Sequence, residues 1–420
     1  MRMKKHPVFY IAMVVCLLIV VSLASCGGDD PIADPDPSSP PESVTPPTIS
    51  TPPPSITPST PPPPPPPPVE LFPYDGVVEH IFFHEVIAWP ELAFNGNAME
   101  RGYDTNMVTV SEYIAILESL YRNNFILVNL NDVWSEFTNE QGQQRMRRNT
   151  LMLPEGKKPL VISFDDLSFY EYMTGDGFME KYIIGDDGDI WAIGTDPNGN
   201  TVISQDLTVI TILDKFVKEN PGFSHEGAKG CIAFTGYEGI LGYRTQFDRT
   251  NDTQEARLHR RQEIARARPI VQRLHDTGWY FATHSYGHIW LDSSSLDRVQ
   301  TDALRWKDEV ASLVGETRIF IYPYGSRLDN GDVWDTGPAL RFYNNELGFR
   351  YFASVGRESF SRIKPDISAV MMDRMPVDGL ALRSRRELFL RFYDAAEVFD
   401  HSRPTGNDSA GRPYEIAWQT

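Results

Sequence analysis

The sequence predicts an α/β protein: a parallel sheet with helices outside it, most economically closed into a barrel. Three observations carry that prediction. From about residue 70 to the C-terminus one unit recurs, an apolar strand, a polar or glycine-rich loop and an amphipathic helix. The apolar runs are short and nearly unbroken, as in strands covered on both faces. Three of them stop abruptly on chemically special residues, at the strand end where α/β folds place their sites. The clearest is Val-Ile-Ser-Phe-Asp-Asp-Leu-Ser, residues 161–168, whose apolar run ends on Asp165 and Asp166. Neighbouring strand residues point opposite ways, so the two carboxylates serve one site only if the strand is already turning into its loop. Asp-Asp by itself is more often a polar strand end or a helix cap.

Ahead of the repeating part, residues 1–26 read as a bacterial export signal. Arg2, Lys4 and Lys5 form a basic start and 8–23 is almost wholly apolar. Leu23-Ala24-Ser25-Cys26 then resembles a lipobox, in which Cys26 is lipidated and becomes the N-terminus. An uncleaved apolar anchor is the alternative. Either way the mature chain sits outside the cytoplasmic membrane, held through its N-terminal anchor. Residues 27–69 are rich in Pro, Ser and Thr and include an unbroken proline run, 61–68. Too little apolar surface for a core implies disorder with polyproline II character, reaching on the order of 100 Å if extended. The net charge of −18 gives no basic face for nucleic acid but is compatible with a neutral sugar polymer. Three cysteines make no disulfide framework, leaving Cys231 as a lone buried thiol.

In the remaining domain, 70–420, no internal boundary is visible. Residues 77–86 read as the first strand, with His80 and His84 on one face. Such a pair is more often structural than ligating, so His84 is only a neighbour of the site. A helix opens near Thr109 with Ser111 as N-cap, and a strand follows at 125–130. Residues 135–158 look like an irregular excursion. Asp-Asp-Gly between apolar arms at 182–193 signals a β-hairpin, expected to insert over the site mouth. A helix over 209–219 closes at Asn220-Pro221. Strands are expected at 230–234, 279–283, 318–322, 351–355 and 369–375. Helices are expected at 253–276, 295–314, 335–347 and 384–398.

The strand at 279–283 ends in His284-Ser285-Tyr286-Gly287-His288. Two His at i and i+4 meet if the loop takes a helical turn, and with Asp166 they make a two-His, one-carboxylate metal set. The strand at 318–322 ends in Pro323-Tyr324-Gly325, a tight loop whose backbone N–H can serve as an oxyanion donor.

Ser-Phe-Asp-Asp (163–166), His-Ser-Tyr-Gly-His (284–288) and Tyr-Pro-Tyr-Gly (322–325), in this order, resemble the first three motifs of the polysaccharide deacetylase family. His84-Glu-Val and Val110-Ser-Glu-Tyr are also similar to its extracellular poly-N-acetylglucosamine branch. The resemblance implies a distorted (β/α)7 barrel and a divalent metal, commonly zinc, with cobalt, manganese or nickel as alternatives. It implies Asp166, His284 and His288 as ligands and Asp165 as the base that takes a proton from water attacking an acetamide carbonyl. The Tyr324 N–H then stabilises the oxyanion, Tyr322, Pro323 and His84 border the substrate, and acetate and a free amine result. Arg374 is the candidate to orient Asp165, with a structural ion pair as its alternative. This chain departs from the family at Leu167, Ile289 and Ile321-Tyr322. It also lacks a Leu-x-His motif near the C-terminus, which leaves the general acid unassigned; His401 is expected at the surface. The rival reading is a carbohydrate-binding lipoprotein on a decayed barrel, and an O-acetyl esterase is a variant of the same chemistry.

Overall fold

Seven short strands pair in parallel around a closed ring. They are β1 (Glu79–Phe83), β2 (Lys158–Asp165), β3 (Gly230–Phe234), β4 (Tyr280–Thr283), β5 (Ile319–Ile321), β6 (Tyr351–Val355) and β7 (Ala369–Pro376). β7 returns to β1 through Met375 opposite Ile81, which closes the barrel. The computed structural model describes residues 69–328 and 336–419, all within one compact unit, Pro67–Thr420. The expected export signal, Cys26 and the expected linker up to residue 68 lie outside the described residues.

The period-two alternation of the strands decides what lies inside the ring. Val161, Cys231, Ala233, Ala282, Ile319, Ile321, Ala353, Val370 and Met372 belong to one buried cluster. Side chains as small as Cys231, Ala233, Ala282 and Ala353 leave interior volume for the buried Arg374, His80 and Asp165. Alternate residues of the same strands, such as Phe83, Phe164 and Phe234, join a second cluster with helix residues Leu117, Leu213, Ile270 and Leu274. Each such fully buried side chain contributes about 1.5–3 kcal/mol. The helices are α1 (Val110–Arg122), α2 (Val209–Glu219), α3 (Gln254–Asp276) and α4 (Leu296–Trp306).

Several expectations need correction. The N-cap of α1 is Thr109, not Ser111: Thr109 and Glu112 form a reciprocal capping box. Residues 135–158 are not irregular, because Trp134–Thr138 and Gln144–Arg148 pair as an antiparallel ribbon and Leu151–Pro154 pairs with Leu71–Tyr74. Only Trp134 and Met146 of that ribbon are buried, so its apolar signal is too sparse to read. The expected helix 384–398 is instead Arg386–Phe389 and Ala395–Val398, preceded by Gly379–Ser384. The breaks fall at Arg385 and at Asp394, whose carboxylate accepts from the Ala396 N–H. α4 stops at Trp306 and runs on as a wider π-type turn, Lys307–Ala311. The Asp-Asp-Gly hairpin forms as Lys181–Ile184 and Ile190–Thr195, with a third strand, Thr201–Ser204, added. It packs by α2 and α3, where Arg273 meets Asp189, and lines no part of the site cavity.

Candidate active site and metal centre

The C-terminal strand ends open into one cavity of about 380 Å³. It brings together residues from all but one of the predicted stretches: His84, Asp165, Asp166, His284, His288, Tyr322 and Tyr324 line it.

β2 delivers both carboxylates because its last residues leave the strand geometry. Asp165 still points into the barrel and is 2% exposed, whereas Asp166 takes a left-handed φ of 64°. Asp tolerates that conformation better than most residues. The turn sends the second carboxylate toward the histidines instead of to the barrel's outer face.

The His loop folds by a different device from the helical turn expected. Ser285 and His288 are both left-handed, with φ of 54° and 48°. Asp302 on α4 accepts from the Tyr286 and Gly287 N–H groups at 2.7 and 2.8 Å, and Tyr286 O accepts from Gly236 and Tyr237. These bonds bring the two imidazole rings to 4.9 Å. Asp166 Oδ2 then lies 3.5 Å from His288 Nε2 and 3.9 Å from His284 Nε2. Asp166, His284 and His288 offer ligand atoms that all lie within 4.8 Å of one another, and among the described residues no other such group occurs. The donor set fits a divalent ion of the zinc type. His284 Nδ1 bonds the Ile321 carbonyl at 2.9 Å, which commits its proton there and leaves Nε2 as the lone-pair atom. Burial pushes His288 down to about 4, so it is neutral, as a ligand must be.

Asp165 is in a different electrostatic situation. Burial opposes its ionisation, but Arg374, with help from His284, outweighs burial and holds it at about 2. The guanidinium is fully buried on β7 and grips the carboxylate with two bonds, 2.8 and 2.9 Å. Arg374 also donates to Ser163, whose hydroxyl meets His80 Nε2 at 3.0 Å, and it stacks on the Phe82 ring at 4.0 Å. Asp165 Oδ2 is 3.9 Å from His284 Nε2. A carboxylate that Arg374 holds well below the usual range therefore stands beside the candidate ligand cluster.

The remaining predicted residues distribute as follows. Tyr324 lines the cavity, half exposed, with a left-handed φ of 56° in the turn Pro323–Gly325. Tyr322 is buried against Phe320 and Phe352, with its side chain reaching the cavity wall. Pro323 is buried and does not line the cavity; it only shapes the turn. His84 sits on the rim beyond β1, its Nδ1 bonded to Asn106 O at 2.9 Å. His401 is exposed and Cys231 is a buried free thiol, both as expected.

Sequence reasoning missed Tyr170. Its hydroxyl bonds Asp166 Oδ1 at 2.5 Å and Thr235 at 2.6 Å, so it orients a ligand from behind. The aromatic richness after the Asp pair was its only signal. Ser163, His80 and Asp302 were equally silent, because nothing in the sequence says which polar residue backs a distant site.

Barrel and site together define a parallel α/β barrel with a candidate metal centre at its C-terminal strand ends. The model of the family described as polysaccharide deacetylase matches residues 253–342, the segment holding both histidines and the Tyr-Pro-Tyr-Gly turn. The match spans less than half of the chain and marks a similarity to that family over this segment. None of the curated proteins matches the chain. Among solved structures, a deacetylase (PplD) from Streptococcus pyogenes in complex with acetate is 11% identical, with 72% of this chain and 92% of that one covered and a TM-score of 0.38. A family 4 carbohydrate esterase from Streptomyces lividans, also with acetate, is 16% identical over 48% of this chain and 88% of that one, with a TM-score of 0.22. A family 57 branching enzyme from Thermococcus kodakaraensis is 12% identical over 73% and 49%, with a TM-score of 0.27.

Proposed function

We propose that this protein removes N-acetyl groups from an N-acetylglucosamine-containing polysaccharide of the cell envelope or extracellular matrix. We further propose that it works outside a bacterial membrane, tethered through lipid on Cys26 and the proline-rich segment 27–69. The observation that carries the catalytic reading is Asp165, ionised by Arg374 and 3.9 Å from His284, one of three clustered ligand residues. Asp166, His284 and His288 would hold a divalent ion, zinc foremost. When bound, such an ion acidifies water and polarises a carbonyl.

The chain's own residues do the rest. Asp165 accepts the proton of the attacking water, and Arg374 keeps the carboxylate ionised and fixed. The Tyr324 N–H faces the developing oxyanion. His84 supplies the general acid that no C-terminal motif provides. Its Nδ1–H bonds Asn106 O, which leaves Nε2 as the atom that passes a proton to the leaving nitrogen. The products are acetate and a free amine.

The test is elemental analysis of the purified protein with an acetate-release assay on acetylated chito-oligomers. Metal near one per chain, lost in Asp166→Ala but kept in an inactive Asp165→Asn, is the expected result. Protein without metal would overturn the ligand assignment.

A further inference from the structure

Two aromatic surfaces flank the ligand cluster, and each is attached to a different ligand. Over one, Trp290 and Tyr324 lie face to face, ring centres 4.1 Å apart and planes 6° from parallel. The Tyr324 ring also meets His288 at 4.2 Å. Over the other, Tyr170 is sandwiched between Tyr237 at 4.9 Å and Tyr172 at 5.5 Å, while its hydroxyl holds Asp166. Trp290 is 49% exposed, Tyr324 53%, Tyr172 47% and Tyr237 36%. Tyr172, Tyr237 and Tyr324 line the cavity, Trp290 extends the Tyr324 surface beyond it, and all four leave ring surface in water, which marks a ligand surface.

The positions of the two surfaces limit what that ligand is. One surface rises from the loops after β2 and β3, the other from the loops after β4 and β5. A molecule touching both therefore spans more than the reacting group. Flat exposed rings match the C–H face of a pyranose. The described lining residues include the carboxylates Asp165 and Asp166 and no Lys or Arg, which disfavours a polyanion.

We propose that Trp290–Tyr324 and Tyr172–Tyr170–Tyr237 are sugar-stacking walls that seat neighbouring pyranose units of a neutral polysaccharide on either side of the centre. The enzyme then acts within chains instead of on single sugars or chain ends. This rests on the deacetylase reading above.

The experiment measures kcat and KM for acetate release from N-acetylglucosamine oligomers of one to five units. Wild-type protein is compared with Trp290→Ala, Trp290→Phe and Tyr172→Ala. Wild-type kcat/KM rises with length; Trp290→Ala loses roughly tenfold of that rise through KM, the loss expected for one stacking contact, and Trp290→Phe keeps most of it. An unchanged length dependence in Trp290→Ala overturns the proposal. Pentamer binding to Asp165→Asn protein, with and without Trp290→Ala, is read separately by calorimetry. Equal affinities overturn the walls, whereas weakened binding without acetate release from any oligomer upholds the walls and overturns the deacetylase reading.

Discussion

Two buried clusters in this molecule are made of the same parts, arginine and carboxylate, and they do opposite things. At the C-terminal strap, Arg383 and Arg403 converge on Asp104, and Arg403 also holds Glu112 with bonds of 2.7 Å to each oxygen. Backbone carbonyls of Asp104, Met107 and Pro404 take the remaining guanidinium donors. In the barrel, Arg374 grips Asp165 as tightly, but its Nε finds no acceptor and the carboxylate faces a cavity with His284. The first cluster is saturated and closed, so its charge does nothing beyond holding the strap to α1. In the second, burial is outweighed by Arg374 and the carboxylate still opens on a cavity, the combination on which the proposed general-base role rests.

The comparison can be broken from either side. The largest effect is expected at the open cluster: Asp165→Asn should lower acetate release per folded molecule by roughly 10²–10⁴-fold, the range for a general base. Because it leaves the buried Arg374 without its counter-charge, it should also cost about 3–5 kcal/mol of stability while the folded fraction keeps its metal. Folded Asp165→Asn protein with wild-type acetate release would make Asp165 purely structural. At the closed cluster Arg403→Ala should show the stability loss alone. Removing one partner of a buried pair costs about 3–5 kcal/mol, read by denaturant melts, while the folded fraction keeps its metal.

A third measurement sharpens the role of burial. Glu85 lies beneath the cavity, bonded to Tyr182 and to the Val86 and Val209 N–H groups, and burial raises it to about 7 from 4.5. With a folded pKa above the unfolded one, its contribution is fully present below 4.5 and is lost as pH rises through 7. Glu85→Gln should therefore gain stability on the wild type over that window, by roughly 3 kcal/mol at its upper end. A constant difference between the two melts across this pH range would show that Glu85 is not protonated in the fold. The smallest effect is Thr109→Ala, which removes one half of the α1 capping box for about 1 kcal/mol and should leave kcat unchanged.

The contrast between the clusters also explains what was legible beforehand. The candidate ligands and candidate base lay in short contiguous stretches at strand ends, where an apolar run stopping on Asp165-Asp166 or running into His284 is visible in one dimension. Arg374 was readable only as a candidate, since an arginine in a strand pairs with whatever the ring sets opposite it. Trp290 and Asp302 gave no usable signal, because each acts on a residue well away in the chain, and Tyr170 showed only as part of an aromatic stretch. Residues 135–158 and 384–398 failed for another reason: half-exposed ribbons and broken short helices carry too few buried residues to impose a period.

The local order of the chain was enough to determine the strand and helix alternation, the positions of the special strand ends and the donor types gathered there. These depend on neighbours within a few residues, through side-chain period, turn chemistry and capping. Tertiary structure alone decided that seven strands close, that left-handed residues at Asp166, Ser285 and His288 aim the ligands inward, and that a fully buried guanidinium from the last strand ionises a carboxylate on the second. The reason is physical: a pKa and a ligand geometry are set by what stands within a few ångströms, and around a barrel those groups come from opposite ends of the chain.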